Sequence, residues 1–339
     1  MPMEISIAIL AALTGPEAMW LVFFCLSALI IFGDLFLPAD RAEIEIQNPF
    51  LLNLSLYIHL PLLAILVGIM VYMTSTQSMG FFGYFSYILL VGLLIGGAGM
   101  VVGHELTHQT GNKFKMFAGN WLYGIACEPF FTIEHVYGHH KNVGLKHDPA
   151  TAKRGEIIYP FIIRSTIGQA KNAWHIEKDR LHKKGMNVFS IDNRILMSVS
   201  RSVTIIVAVV LFGNLSGLIC FLGAVTWAKI MLETVNYMEH YGLVRQEGTS
   251  VHPRHSWNTN AIMSSLILFN LTRHSHHHEK ASLNFWELKP YPNAPEMPWG
   301  YLSMLYFILL FPFAYHRVMK PSLENWDKHY ATKEELALV

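Results

Sequence analysis

The chain has 339 residues, 52% of them hydrophobic and 14% charged, with a formal charge of +1 and a mean hydropathy of +0.32. Soluble domains carry about 25% charged residues, so the composition excludes an ordinary soluble domain and sets the apolar surplus against lipid. Cys25, Cys127 and Cys220 are far apart and form no C-x-x-C pair, which excludes a disulfide framework, a zinc ribbon and a thiolate-held iron–sulfur site.

Charge is unevenly spread. Arg41 is the only Lys or Arg before Lys113; the other 24 of the 25 follow. Membrane proteins keep Lys and Arg on the cytoplasmic side, so the basic, histidine-rich remainder reads as cytoplasmic. The N-terminus lacks a basic n-region and more apolar runs follow it, so no secretory signal is expected.

In chain order, Ile5 to Leu13 is apolar and stops at Gly15-Pro16. It is shorter than the roughly 20 residues a span needs; as a short or tilted helix, 5–14 is the first of six spans. Residues 18–37 follow, with Asp34 near the end, then 50–73, which holds His59 and Pro61. Residues 81–102 run straight into His104, and 195–212 and 215–231 form a pair broken at Gly213-Asn214. With His104 inside, the link at 75–80 is outside and the link at 40–47, which carries Arg41, is inside. Six spans put the N-terminus in the cytoplasm; five put it outside. Residues 157–184 read as a helix with Lys171, Lys178, Arg180, Lys183 and Lys184 off its apolar positions. It lies on the membrane surface or packs on the cytoplasmic portion. Residues 299–315 are apolar but short and hold Pro312, so they read as interfacial or buried; the tail from Pro321 is polar.

Histidines then fall at ligand spacing in three places. His104 and His108 lie four apart in H-E-L-T-H, so on a helix they share one face and can grip one metal. His135, His139 and His140 lie in E-H-V-Y-G-H-H, with two again four apart. His274, His277 and His278 lie in R-H-S-H-H-H at i, i+3 and i+4, and His240 stands alone in N-Y-M-E-H-Y-G. One H-x-x-x-H arises often by chance or from core packing, and a lone histidine such as His59 or His316 reads as packed. Three clusters beside membrane need a purpose, because protonated imidazoles crowded there would repel. H-E-L-T-H also matches the zinc-protease pattern with Glu105 as base. A zinc site, however, uses about three protein ligands, and eight or nine histidines suit two metals with four or five imidazoles each. Iron is the natural metal if the chemistry is redox. A zinc hydrolase and a non-catalytic metal- or heme-handling membrane protein stay as the other classes.

These boxes, with D-P-A after the second and P-R-H-S-W-N at Pro253 to Asn258, resemble the motifs of the membrane-bound alkane 1-monooxygenases, within the fatty-acid desaturase-like membrane di-iron superfamily. The likeness runs in order from His104 to Arg317. It implies an all-α integral-membrane fold of about six transmembrane helices with a cytoplasmic histidine-rich helical cap. One domain covers 1–339, with 103–194 and 232–339 as the cytoplasmic catalytic portion. It further implies that His104, His108, His135, His139, His140, His240, His274, His277 and His278 hold two iron ions (Fe2+/Fe3+). The implied reaction inserts one atom of O2 into the terminal C–H bond of an alkane; alternatives are an alkyl-aromatic, xylene-type methyl hydroxylase and a fatty-acyl desaturase. The implied partners are a rubredoxin or ferredoxin-type donor with its NAD(P)H reductase, an apolar hydrocarbon, O2 and membrane lipid, and no nucleic acid. The implied place is the bacterial inner membrane, with the site on the cytoplasmic side.

Ligating histidines donate their other N–H to a carboxylate or carbonyl. Glu105, Asp148 and Glu239 are expected in that role, with Glu134 a further candidate, against the plainer reading of solvated or ion-paired acids. Arg273 is placed to pair with one of them, and Lys141, Lys146, Lys153 and Arg154 either steer an acidic donor or simply mark the inside. The third box departs from the common R-H-S-D-H-H: His276 replaces the acid, either supporting a ligand or competing for metal. His147 is likewise new beside Asp148, while W-D-K-H-Y-A-T at Trp326 to Thr332 and N-A-P-E-M-P at Asn293 to Pro298 resemble the xylene monooxygenase branch.

Overall fold

A run of some 20 apolar residues in lipid must satisfy every backbone group within itself, so it forms a helix. The computed structural model describes residues 2–43 and 45–339 and holds no β-strand among them. Five of its helices are long and apolar enough to cross a membrane: α2 (Pro16–Phe36), α3 (Phe50–Thr76), α4 (Phe81–His108), α8 (Arg194–Phe212) and α9 (Leu215–His240). The expected first span is the 13-residue helix α1 (Pro2–Thr14). Between and beyond these lie α5 (Lys113–Ile125), α6 (131–142), α7 (Ile158–Lys183), α10 (Ile262–Ile267), α11 (His274–Glu279), α12 (Tyr301–Leu310), α13 (Pro312–His329) and α14 (Lys333–Leu336).

Two helices outrun their apolar segments. The hydropathy of the fourth and last spans fades near Val102 and Met231, yet helix continues to His108 and His240. Helical hydrogen bonding does not need apolar side chains, and the polar residues of the last turns, including Thr107, Glu233, Asn236 and Glu239, are buried inside protein. The first extension carries His104 and His108, and the second ends at His240. Residues 158–183 are helical as expected, and 299–315 split into α12 and α13 at Phe311-Pro312.

The chain divides into two compact units. The first comprises the residues up to Leu29, Ile46–Thr132 and Leu181–Leu232. There α1 packs on α3 and α4, and α5 packs on the end of α4 and on α8. The Tyr87 hydroxyl donates to the Ala12 carbonyl at 2.6 Å, and Asn214 Nδ2 to the Ser75 carbonyl at 2.8 Å. Asn112 and Asn193 accept backbone N–H groups at the starts of α5 and α8, as helix N-caps do. Within α4, Ile95–Met100 widens into a π-turn, I-G-G-A-G-M. Gly96 and Gly99 there pack against Met231 and Leu63; glycine admits such close approach.

The second unit comprises Ile30–Glu45, Ile133–Arg180 and Glu233–Val339. Asp34, the acid that stood out in an apolar span, is one of its hubs. It accepts from Ser264 N at 2.8 Å, Ser264 Oγ at 2.6 Å, Ser303 Oγ at 3.1 Å and Ser303 N at 3.3 Å. A carboxylate so surrounded is tolerated away from water, and it holds the starts of α10 and α12 on the end of α2. A Cβ at Gly300 would fall 2.2 Å from that carboxylate carbon.

Candidate metal centre

Within the second unit, His139 of α6, His240 at the end of α9, and His274 and His278 of α11 come together, all of them buried. One ligand nitrogen from each lies within 4.8 Å of the others. His139 Nε2 faces His240 Nε2 at 3.1 Å, His240 Nε2 faces His274 Nε2 at 3.2 Å, and His274 Nε2 faces His278 Nε2 at 3.0 Å.

The far side of two of these rings fixes where their protons are. His139 Nδ1–H donates to Asp148 Oδ2 at 3.0 Å. His240 Nδ1–H donates to the His255 carbonyl at 3.0 Å. Metal binding takes the neutral imidazole, which has one N–H; in that form both Nε2 atoms present lone pairs across 3.1 Å. Burial lowers the His139 pKa, but the Asp148 carboxylate outweighs it and raises it overall, so a proton on His139 Nε2 bridges to His240 Nε2 until a cation takes its place. The donor set is four imidazole nitrogens, which suits iron, zinc or copper, and the residues therefore fit a metal.

The second box works through its helix geometry. α-Helical spacing pairs His135 with His139, but His135–His139 is a π-turn, in which residues five apart share a face. His135 Nε2 accordingly lies 3.1 Å from His140 Nε2, and His277 Nε2 lies 3.1 Å from the same atom. The wide turn sends His139 to one group and His135 and His140 to another; α11 does the same with His274 and His278 against His277. In the first unit, His104 and His108 bring their rings to 4.7 Å between centroids on the last turns of α4, as their spacing predicts.

The acids behave differently from one another. Burial by itself would raise the Asp148 carboxyl, but the His139 ring and the Thr151 hydroxyl, 2.6 Å away, hold it below the usual range. Glu134 accepts from Asn172 Nδ2 at 2.9 Å. Its burial, and then the charge of Asp148, push its pKa up to about 7. Gly138 makes room for this pair: a Cβ there would meet Asn172 Nδ2 at 2.6 Å. Glu239 Oε2 lies 3.3 Å from His274 Nε2, the nitrogen that faces the group, so it borders the centre rather than backing a ring from behind. Glu105 is buried on α4 beside His104.

The fatty acid desaturase family model matches residues 79–308. Alkane 1-monooxygenase 1 of Pseudomonas aeruginosa is 34% identical over 88% of this chain and 79% of that protein. The corresponding protein of Alcanivorax borkumensis is 32% identical over 85% and 72%. The chain belongs to the alkane 1-monooxygenase family. The hydroxylase component of a xylene/toluene monooxygenase of Pseudomonas putida is also similar, 29% identical over 96% of this chain and 88% of that protein.

For an alkane-monooxygenase-like oxidoreductase, the departures noted in the sequence now have places. His276 is outside the four-histidine group: its Nδ1 accepts the Lys289 N–H at 2.8 Å, and its ring lies 4.8 Å from that of Tyr291. Arg273 does not pair with the acids of the boxes. It donates to the Leu288 and Ala42 carbonyls and lies 3.7 Å from Asp40. Arg154 is committed to Asp327 through both terminal nitrogens, at 2.9 and 2.6 Å. His255, Asn258, Thr151 and Glu335 carried no expected role. P-R-H-S-W-N was the one signal that pointed toward two of them.

Proposed function

We propose that this protein hydroxylates the terminal methyl group of an alkane to the primary alcohol, using O2 at a histidine-held di-iron centre. The observation that carries the reading is the facing Nε2 atoms of His139 and His240, whose ring protons are already given to Asp148 and the His255 carbonyl. The relatives' names supply the substrate class. His104, His108, His135, His139, His140, His240, His274, His277 and His278 hold two iron ions, and His139, His240, His274 and His278 hold one of them. Bound iron supplies the activation of O2 that an unactivated C–H bond requires.

The chain's own residues hold, orient and buffer. Asp148 and the His255 carbonyl keep two rings in the tautomer that presents Nε2 inward. Glu239 Oε1 is buried without a hydrogen-bond partner beside the group, which suits it to carry a proton for the oxygen atom that leaves as water. Electrons come from a separate rubredoxin or ferredoxin-type donor and its NAD(P)H reductase. The Lys and Arg distribution supports a bacterial inner-membrane protein with its site on the cytoplasmic side.

A second reading, hydroxylation of a ring methyl group, is favoured by the xylene/toluene relative's match over 96% of this chain and by the W-D-K-H-Y-A-T tail. Cells expressing the chain, fed n-alkanes and xylenes, separate the readings by mass spectrometry of the products. We expect 1-alkanols. Benzylic alcohols alone would establish the second reading, alkenes a desaturase, and zinc without iron in the purified protein would overturn both.

A further inference from the structure

We propose that Glu335 and His255 set the orientation of the metal ligand His240, so that a carboxylate from the C-terminal tail is a positioning residue for the centre. The proposal rests on reading the four histidines as a metal group. His255 is a fully buried histidine whose two ring nitrogens are both already in use. Nδ1 accepts the His252 N–H at 3.0 Å, so the proton sits on Nε2, which donates to Glu335 Oε1 at 2.7 Å. The ring thus acts as a pin, and the carbonyl of the same residue takes the Nδ1–H of His240 at 3.0 Å. His255 is 0% and Glu335 1% exposed, so water offers no substitute for either bond.

The pinned segment, Pro253 to Asn258, touches two of the three elements that carry the group, α9 and α11. Trp257 N donates to the Glu239 carbonyl at 2.9 Å and Trp257 Nε1 to the Tyr241 carbonyl at 2.9 Å, on either side of His240. Asn258 Oδ1 accepts Ser275 N at 2.9 Å, and Ser275 Oγ donates to the Pro253 carbonyl at 2.6 Å, one residue after His274. A shift of this segment therefore moves His240 and α11 together.

Glu335 is itself held for the task. Thr332 caps α14: its N–H donates to Glu335 Oε2 at 2.9 Å, and its hydroxyl accepts Glu335 N at 3.2 Å. Arg254 adds an ion pair at 3.0 Å. That pair is a separable contact, because the Arg254 side chain binds the carboxylate without passing through His255. Partners of metal-ligating histidines, when removed, cost about 10–100-fold in metal affinity.

The test uses the full chain in detergent, freed of metal with a chelator and titrated with Co2+, whose visible absorption reports the ligand set. Glu335→Ala is expected to weaken cobalt binding about 10–100-fold and to alter the cobalt spectrum. Glu335→Gln, whose amide oxygen still accepts the His255 Nε2–H, recovers most of the affinity. Arg254→Met removes the ion pair, lowers the melting temperature of the metal-free protein as Glu335→Ala does, and leaves cobalt affinity in place. The proposal is overturned if Glu335→Ala binds cobalt like the unaltered chain. It is equally overturned if Arg254→Met weakens cobalt as much, since the tail would then be a general clamp. If the unaltered chain takes up no cobalt, the metal reading of the four histidines fails instead, and this proposal with it.

Discussion

In the first unit the large side chains left exposed include Leu21, Phe24, Phe82 and Phe212, whereas in the second the side chains withdrawn from solvent include Glu134, Asp148, Glu239, Arg245, Arg273 and Glu335. The first pattern is what lipid allows: apolar side chains outward and backbone groups satisfied within each helix. The second is costly unless every charge finds partners. Partners are there for these groups, though Glu239 Oε1 has none. Arg245 donates to the carbonyls of Val143, Lys141 and Thr249, and Arg254 and His255 both reach Glu335. The difference shows where the second unit places its polar organisation: around its buried histidines.

The comparison can be broken most directly at the histidine group. His278→Ala removes one of four buried nitrogens, and alcohol formation should fall below about 1% of the unaltered rate with loss of bound iron, read by product yield and elemental analysis. A variant that keeps its iron and its activity would remove the centre from the second unit. The first unit should treat a titratable group differently, by leaving it neutral. Burial, and then the Glu128 carboxylate, raise the Cys127 thiol from 9.0 to about 11. Below pH 9 its thiolate is therefore about 100-fold scarcer than that of an ordinary cysteine, since the thiolate is the reacting form. Iodoacetamide labelling followed by mass spectrometry should show slow modification at pH 8 that accelerates only as the pH climbs toward 11. Ordinary labelling at pH 8 would contradict this.

Smaller effects sharpen the comparison. Asp148→Ala leaves the His139 Nδ1–H without its acceptor and should weaken metal binding about 10–100-fold while the protein still folds, measured by chelator competition. Asp34 tests the boundary in kind, an acid on an apolar helix with the polar bonding of the second unit. Asp34→Asn should cost about 1–2 kcal/mol in thermal or denaturant unfolding, the loss of one or two of its hydrogen bonds, with iron content of the folded protein unchanged. No change in stability would mean that these bonds are replaced by others.

The helices α2, α3, α8 and α9 and the eight clustered histidines were legible in the sequence because both signals are local, whereas His240 was singled out only by the family resemblance. Apolar length defines a span, and i, i+3 and i+4 spacing defines a helix face. The ends of α4 and α9 were not legible, because hydropathy reports lipid contact while helix also continues through polar residues buried in protein. The second box was half legible. Its histidines were found, but their division between groups depends on the π-turn at 135–139, which the spacing H-x-x-x-H-H does not announce. Asp148 was singled out as an acid supporting a ligand, and the structure pairs it with His139. Glu239 was found as an acid of the site but placed behind a ring, whereas it lies on the side of His274 that faces the group.

By itself, the sequence determined that this chain is helical, is apolar enough to enter lipid and carries histidines at metal-ligand spacing. These follow from composition and from residues within one or two helical turns of each other, whereas the family was read from the resemblance of its histidine boxes. Only the tertiary structure decided which histidines face one another and what holds them so. Asp148 is nine residues from His139, the His255 carbonyl is 15 from His240, and Glu335 is 80 from His255. A hydrogen bond fixes a tautomer only through a particular atom at about 3 Å, and no local pattern encodes which distant atom the fold will bring there.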